Sequence, residues 1–258
     1  MTDVDTSPPT IEHSSPYAQM HLSAGVSRHY DQVMYAADSY DSLIWTLERP
    51  FLRAVAASLA TPAGGLRVLD FACGTGRIIS ALEDLAGASL GVDISPDMLS
   101  AASAKARHSE LRAGDILAHP ELAPGPYDLI TAIRFFLNTE DEMRRRVMPA
   151  LRALLAGPDS RLVFNIHMNT LNLLPNQLYR SLHGWPSYRS MTVWQARRLA
   201  RDAGLEVLEL HGFGLVPERL YRGRLARIAG WVDRKSAGRS PVGWMCRDLV
   251  FVCRLARG

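Results

Sequence analysis

The amino-acid sequence predicts an α/β fold, with a doubly wound, mostly parallel sheet of seven strands and helices on both faces. From Leu66 onward, short apolar runs alternate with segments that carry a helical pattern. Sequence patterns that cap the N-terminus of a helix lie between several of these runs. Strands that alternate with crossover helices pair in parallel, and both faces of such a sheet are covered. The length of 258 residues suits one domain with additional segments.

The region ahead of the sheet divides into a tail and a helical part. Met1–Pro16 is polar and rich in Ser, Thr and Pro, without the basic start and apolar stretch of a secretory signal. We therefore predict a disordered tail over residues 1–22. Apolar positions at helical spacing between Ser23 and Ala60 predict two helices. Pro62-Ala63-Gly64-Gly65 then breaks the chain, and a single domain is expected over residues 23–258.

The predicted strands are short runs with the composition of buried segments. They are Arg67–Phe71, Ser89–Asp93, a strand ahead of Ala113, Tyr127–Ile133, Arg161–His167, Leu205–Leu210 and Asp248–Leu255. In open α/β sheets, ligands bind beyond the carboxyl ends of the strands. The residues that follow each strand are therefore the first candidates for a functional site.

Helices fit between the strands. Ser95-Pro96, a capping residue followed by proline, predicts a helix that runs to about Arg107. Thr139-Glu-Asp-Glu142 has the pattern of a capping box and predicts a helix to about Leu155. Thr192-Val-Trp-Gln195 repeats that pattern, and Gly204 marks the end of the helix that it starts.

The first strand continues into Asp70-Phe71-Ala72-Cys73-Gly74-Thr75-Gly76, and a helix over Arg77–Leu82 follows. Gly74 and Gly76 allow a tight turn whose backbone a ligand can approach closely. The dinucleotide-binding fingerprint needs a third glycine, but that position is Ile79. Asp70 would also repel a pyrophosphate. An acidic residue here suits a cationic ligand, such as the sulfonium and amino groups of S-adenosylmethionine.

Two more acidic residues follow later strands. Asp93, at the end of the second strand, is placed to accept hydrogen bonds from both hydroxyls of a ribose. Asp115 lies in Ala113-Gly114-Asp115-Ile116. Its carboxylate can accept from the exocyclic amine of adenine, with Ile116 against the ring.

Taken in order, these three motifs resemble the cofactor motifs of class I S-adenosylmethionine-dependent methyltransferases, over about Leu66–His167. The resemblance implies that the cofactor is S-adenosylmethionine, that the product is S-adenosylhomocysteine, and that the sheet belongs to the Rossmann-like methyltransferase fold. Ala72 stands where many relatives have glycine. The implied cofactor-binding residues are Asp70, Ala72, Gly74, Thr75, Gly76, Asp93, Ile94, Met98, Asp115 and Ile116, with Ile94 and Met98 beside the adenine.

Tyr30 is one more residue that the resemblance implicates. Arg28-His29-Tyr30-Asp31 matches a Tyr-Asp pair that precedes the fold in small-molecule methyltransferases. There an aromatic ring closes over the methionine end of the cofactor. The alternative is a tyrosine packed on its own helix.

The acceptor is expected beside the last parallel strands. Arg134 is a candidate for holding an anionic or hydroxyl-rich acceptor, and an ion pair with a carboxylate is the alternative. Asn165 and His167 share one face of their strand. His167 is the candidate general base for a hydroxyl acceptor, with a positioning or core histidine as the alternative. Asn165 and Asn169 would orient the substrate or the histidine.

The same region also limits the kind of reaction. It contains no Asn-Pro-Pro-Tyr or Asp-Pro-Pro-Tyr, the signatures of methylases that act on DNA amino groups and some protein amides. The acidic ligands of metal-dependent, catechol-type relatives do not occur at the corresponding positions either. No metal site is therefore predicted.

Two segments outside the minimal fold, about 170–191 and 212–244, are predicted to form a helical and loop lid over the acceptor pocket. Both place aromatic residues beside polar ones, a combination that suits sugar rings, although the same aromatics can simply anchor loops. The leading hypothesis is O-methylation of a small molecule, most specifically a sugar or saccharide hydroxyl. The alternative is N- or C-methylation of an amino sugar, a polyketide or a quinone-like ring.

Bulk properties narrow the partners and the compartment. The chain has no apolar run of about 18 residues, so no membrane span is predicted. Three cysteines suggest neither a disulfide framework nor a zinc cage, and a cytoplasmic protein is expected. The net charge of +3 is small, so basic residues between Arg219 and Arg239 favour a solvated helical face over a nucleic-acid site. The expected partner is a small-molecule acceptor without nucleic acid. A homo-oligomer and a non-catalytic, cofactor-binding subunit remain open.

Overall fold

The computed structural model describes most of the chain. The described residues are 35–36, 39–60, 65–137, 139–167, 191–216, 218–221, 225–238 and 243–257. Outside them lie the predicted tail over residues 1–22, most of the first predicted lid segment, and the candidate site residues Tyr30 and Asn169. The predictions for these parts stay predictions.

Within the described residues, seven strands form one sheet in the order β3-β2-β1-β4-β5-β7-β6. The strands are β1 (Leu66–Phe71), β2 (Ala86–Asp93), β3 (Glu110–Ala113), β4 (Leu129–Ala132), β5 (Arg161–His167), β6 (Leu205–Phe213) and β7 (Asp248–Leu255). The pairs that join β3 to β5 are parallel, whereas β7 runs antiparallel to both β5 and β6. The predicted doubly wound, mostly parallel sheet is confirmed.

Six α-helices are described. They are α1 (Tyr40–Leu59), α2 (Arg77–Leu82), α3 (Pro96–Ser103), α4 (Asp141–Ala153), α5 (Val193–Asp202) and α6 (Ala226–Ser236). Helix α1 accounts for the second half of the region where two helices are predicted. Helix α6 falls inside the second predicted lid segment, between β6 and β7.

Two of the three capping signals are confirmed. The hydroxyl of Ser95 accepts from the amide of Met98 at 3.4 Å, and Pro96 is the first helical residue of α3. At α5, the Thr192 side chain accepts from the Gln195 amide while the Gln195 side chain accepts from the Thr192 amide. Such reciprocal bonds satisfy donors that a helix start leaves without partners. Gly204, with φ at +77°, follows the end of α5 as predicted.

The capping box predicted at Thr139 is wrong. The residue that precedes α4 is Glu140, and its side chain makes no capping hydrogen bond. Thr139 is fully buried, and its hydroxyl donates instead to the carbonyl of Phe135 at 3.4 Å. The hydroxyl of Thr139 is therefore used within the loop after β4 and is not available to cap α4. Asp141 in the first turn still suits the positive end of the helix dipole.

Several element limits also differ from the predictions. The run Tyr127–Ile133 contributes only Leu129–Ala132 to the sheet, because Tyr127 makes a separate bridge with Leu155. At the other end, Arg134 takes φ at +66°, a conformation incompatible with a strand. Helix α3 ends at Ser103 rather than near Arg107, whereas β2 and β6 are longer than predicted.

Both faces of the sheet carry apolar cores. Helices α1 and α2 cover one face through residues such as Ile44, Leu52 and Ile79. Helices α4 and α5 cover the other face, where Phe164 and Phe251 of adjacent strands stack with their ring centroids 4.9 Å apart. Among the described helices, none has the length and apolar character needed to cross a membrane.

The topology gathers the candidate residues along one edge. Because β1 to β5 are parallel, their carboxyl ends meet at the same edge of the sheet. The antiparallel β7 begins there, and its first residue, Asp248, lies opposite His167 of β5. In folds of this class, that edge is where ligands bind.

Candidate functional site

The turn between β1 and α2 has the backbone that its glycines predict. Ala72, Gly74 and Gly76 all have positive φ, at +55°, +54° and +74°. A Cβ at Gly76 would lie 2.9 Å from the Cβ of Ala102 in α3, so only glycine fits there without a shift. A Cβ at Gly74 would meet nothing within 4 Å, so space for a ligand adjoins this part of the turn.

Asp93 joins three loops at the carboxyl edge. Its Oδ2 accepts from the Gly74 amide at 2.8 Å, and its Oδ1 accepts from the Ser95 amide at 2.9 Å. Its backbone carbonyl accepts from the Gly114 amide at 2.9 Å. The predicted glycine turn, ribose acid and Gly114-Asp115 segment therefore meet at one residue, Asp93, which is 8% exposed.

Asp70 lies beneath this turn and is almost fully buried. Its Oδ1 accepts from the Thr131 hydroxyl at 2.7 Å, and its Oδ2 accepts from the Ile79 amide at 3.1 Å. Burial raises the pKa of Asp70 to about 7, although both hydrogen bonds oppose that shift. The observed contacts connect β1 to α2 and β4. Direct contact between Asp70 and the cationic groups of a cofactor stays a prediction.

The other predicted cofactor residues surround the same turn. Thr75, Met98 and Ile116 are buried, whereas Ile94 and Asp115 are partly exposed. The Oδ1 atom of Asp115 accepts from the Leu117 amide at 2.8 Å, which holds the loop after β3.

The residues present fit S-adenosylmethionine. The open space beside Gly74 admits a ligand close to the backbone, and two aspartates, Asp93 and Asp115, keep exposed surface on adjacent loops. A ribose and an adenine amine need acceptors of this kind. The assignment of individual contacts remains a prediction.

On the acceptor side, the structure pairs Arg134 with a carboxylate. Its guanidinium lies 3.2 Å from Oδ1 of Asp41, and only 9% of the residue is exposed. Its amide donates to Oδ1 of Asn165 at 2.6 Å, so Asn165 supports the strained backbone at Arg134. Of the two interpretations of Arg134, the ion pair is the one observed. His167 ends β5 as predicted, and its side chain lies outside the described part of the chain.

Sequence reasoning missed a buried polar cluster on the α1 side of this edge. It consists of Asp41, Glu48, Arg77, Arg134 and Asp248. Glu48 is 1% exposed, and neither of its carboxylate oxygens has a hydrogen-bond partner within the described residues. Burial raises the pKa of Glu48 well above its ordinary value, Asp248 and Asp41 reinforce the shift, and Arg134 and Arg77 oppose it.

A signal for Glu48 is present in the sequence. The buried stripe of α1 runs through Tyr40, Ile44, Glu48, Leu52 and Ala56, four residues apart. An acid in the middle of an apolar stripe is exceptional, since glutamate is rarely buried without a partner. Arg77, which follows Gly76, stacks its guanidinium on the rings of Tyr35 and Trp45 at 4.3 and 4.4 Å.

Comparisons with known proteins agree with this geometry. Residues 68–157 match the family model described as a methyltransferase domain. The ubiquinone biosynthesis O-methyltransferase of Methylococcus capsulatus is 26% identical over 171 residues, which cover 61% of this chain and 70% of that protein. The ribosomal protein L11 methyltransferase of Thermus thermophilus is 36% identical over 98 residues, which cover 36% of this chain and 39% of that protein.

A solved structure shares the fold at low sequence identity. The magnesium protoporphyrin IX methyltransferase of Synechocystis, determined with bound S-adenosylmethionine, superimposes with a TM-score of 0.59 at 15% identity, over 93% of this chain and 95% of that chain. The sheet order, the glycine turn beside Asp93 and the matched domain lead to one conclusion. Residues 68–157 form a methyltransferase domain, and the sheet has the Rossmann-like fold of S-adenosylmethionine-dependent methyltransferases.

Proposed function

We propose that this methyltransferase transfers a methyl group to an oxygen atom of a small molecule, and more narrowly to a hydroxyl of a sugar or saccharide. The observation that carries the proposal is the polar character of the edge beside β4, β5 and β7. Arg134, Asn165 and Asp248 lie buried at this edge, next to the region where the acceptor meets the methyl group in such a fold. A hydroxyl-rich acceptor needs such partners.

The similarity to a ubiquinone biosynthesis O-methyltransferase also supports transfer to oxygen. The same similarity keeps a quinone-like ring among the alternative acceptors. The alternative reaction remains N- or C-methylation of such a ring, an amino sugar or a polyketide. The L11 methyltransferase match covers little more than a third of either chain, so it carries less weight for the acceptor.

We propose His167 as the general base. It is the last residue of β5, next along the same strand face to Asn165, and its register partner is the buried Asp248. A neighbouring carboxylate favours a basic, correctly oriented imidazole.

S-adenosylmethionine, when bound, supplies a methyl group on a positively charged sulfonium. The cofactor would supply the methyl group and leave as S-adenosylhomocysteine, and His167 would take the hydroxyl proton of the acceptor on an imidazole nitrogen. Tyr30 would cover the methionine end, Asp93 would bind the ribose, and Asp115, Ile94, Met98 and Ile116 would hold the adenine. Asn165 and Asn169 would orient the acceptor or His167. Alignment and removal of water supply much of the acceleration in such displacements.

The test uses methyl-labelled S-adenosylmethionine with the purified protein and fractions of a cell extract: saccharides, lipids and small metabolites, protein, and nucleic acid. Label in the saccharide or metabolite fraction supports the proposal and provides the acceptor for identification. Label confined to protein or nucleic acid contradicts it.

With the acceptor identified, His167→Ala tests the base. We expect kcat to fall by about 10²–10⁴-fold, the usual contribution of general base catalysis. The matched control is His108→Ala, because His108 is exposed and away from the carboxyl edge. A change confined to KM would show that His167 binds the acceptor without taking its proton.

A further inference from the structure

Helix α6 presents an apolar stripe to solvent. Leu225, Ile228 and Trp231 are 52%, 59% and 57% exposed. Their spacing of three residues places them along one side of the helix. The opposite side, with Ala229, Gly230 and Asp233, is buried. Single exposed apolar residues are common, but a row of three large ones, at the N-cap residue Leu225 and at two positions of α6, marks an interaction surface.

The orientation of this stripe is set by buried contacts. Asp233 is 1% exposed, and its Oδ1 accepts from the amides of Leu215 and Val216 at 2.8 and 2.9 Å. Its Oδ2 accepts from the Tyr221 hydroxyl. Because Leu215 and Val216 follow the last residue of β6, α6 is mounted at the carboxyl edge of the sheet, on the same edge as Asp93 and Arg134.

The exposed charges of α6 are all positive. Arg227, Arg234 and Lys235 are exposed, while the helix's acid, Asp233, is buried. Within the described ranges, none of the three cations forms an ion pair. On a helical projection, Arg227 and Arg234 border the apolar stripe on one side, and Lys235 lies between Ile228 and Trp231.

We propose that α6 is a peripheral binding site for anionic lipid bilayers. Leu225, Ile228 and Trp231 enter the boundary between headgroups and acyl chains, and Arg227, Arg234 and Lys235 contact anionic headgroups. A helix with aromatic and aliphatic residues on one face and basic residues beside them binds membranes in this way. The carboxyl edge of the sheet then faces the membrane surface. The inference does not depend on the identity of the methyl acceptor.

Charge complementarity favours this occupant over two others. A second copy of the chain on a twofold axis would bring the same three cations together, which disfavours association. Nucleic acid would engage the cations and could stack one base on Trp231, but leucine and isoleucine, the other two residues of the stripe, offer no surface on which bases stack.

The test is co-sedimentation of the full-length protein with vesicles. We expect binding to phosphatidylcholine vesicles that contain about 30% phosphatidylglycerol, little binding to phosphatidylcholine alone, and release at high salt. Ile228→Ser with Trp231→Ser should weaken binding at least about tenfold, as should Arg227→Gln with Arg234→Gln and Lys235→Gln.

The matched control is Trp194→Ser on α5. Trp194 is 67% exposed and is followed by Arg197 and Arg198, but it lacks a second apolar residue one turn away. Its loss should leave vesicle binding unchanged. Unaltered affinity for S-adenosylhomocysteine, measured by calorimetry, shows that each variant is folded.

Two results would overturn the proposal. One is vesicle binding that neither anionic lipid nor the α6 substitutions affect. The other is absence of vesicle binding together with a dimer, seen by light scattering, that the Ile228 and Trp231 substitutions dissociate. The second result would assign the stripe to an interface between copies.

Discussion

Asp93 supplies acceptor atoms to two loops at once, through its bonds to the amides of Gly74 and Ser95. We expect Asp93→Ala to weaken S-adenosylhomocysteine binding by about 1–3 kcal/mol, because polar groups lose their partners. Calorimetry measures this directly. Asp128→Ala is the matched control, since Asp128 also accepts from a backbone amide, that of Arg67 at 2.9 Å, at the start of β1. Equal affinities for wild type and Asp93→Ala would refute the ribose assignment.

Glu48 is a residue whose burial carries a stability cost. Its pKa is raised in the folded state, so the protonated form is the one that folding favours. The contribution of Glu48 to the free energy of unfolding is fully present at pH values below its pKa in the unfolded chain. It is lost as the pH rises through its pKa in the folded protein. We expect Glu48→Gln to be more stable than wild type by roughly 1–3 kcal/mol at pH 8 and to lose that advantage by pH 5.

Denaturant unfolding at the two pH values measures the difference between Glu48→Gln and wild type. The pH dependence of Asp70 is common to both proteins and cancels. If Arg134 and Arg77 hold the Glu48 carboxylate as a structural ion pair, the substitution will destabilise the protein at pH 8 instead.

Ala72 takes a left-handed conformation that glycine adopts without strain. We therefore expect Ala72→Gly either to leave the free energy of unfolding unchanged or to raise it by up to about 1 kcal/mol. Ala54→Gly is the control, because Ala54 is exposed within α1, where the same change costs about 1 kcal/mol. Thermal unfolding compares the two variants. If Ala72→Gly and Ala54→Gly destabilise the protein equally, the backbone at Ala72 is not strained.

At the scale of elements, α5 depends on its capping box. Thr192→Ala removes the acceptor for the Gln195 amide, and we expect a loss of about 0.5–2 kcal/mol. Thr192→Ser keeps the hydroxyl and should restore most of that stability. Denaturant midpoints separate the variants. A serine variant as unstable as the alanine variant would assign the effect to the lost methyl group.

The comparison of α4 with α5 explains why one capping pattern succeeded and the other failed. Both segments begin with threonine and carry a suitable residue three positions later. At α5 the threonine is partly exposed and bonds to its own helix, whereas Thr139 is buried in the loop after β4 and bonds to Phe135. A local pattern predicts a cap only where tertiary contacts leave the side chain available.

At the scale of the whole molecule, the predicted cofactor contacts lie on the loops that follow β1, β2 and β3. A ligand that binds only the folded state stabilises it by about 2.7 kcal/mol at a concentration one hundred times its Kd. We therefore expect S-adenosylhomocysteine to raise the unfolding temperature, and Asp93→Ala to reduce that shift at the same ligand concentration. An unfolding temperature insensitive to the ligand would contradict the cofactor site.

The amino-acid sequence by itself determined the features that depend on neighbours in the chain. The alternation of strands and helices, the turn at Gly74 and Gly76, and the caps at Ser95 and Thr192 all follow from local backbone and side-chain preferences. The order of three acidic motifs also follows from the sequence, because each motif stands after its own strand.

Only the tertiary structure decided which distant side chains meet. Arg134 pairs with Asp41, which lies 93 positions earlier, and Glu48 is buried beside the same arginine. Asp93 proved to be the junction of three loops rather than an isolated ribose acid. These contacts depend on sheet order and on the packing of α1 over β4 and β5, and no short-range pattern in the chain encodes them.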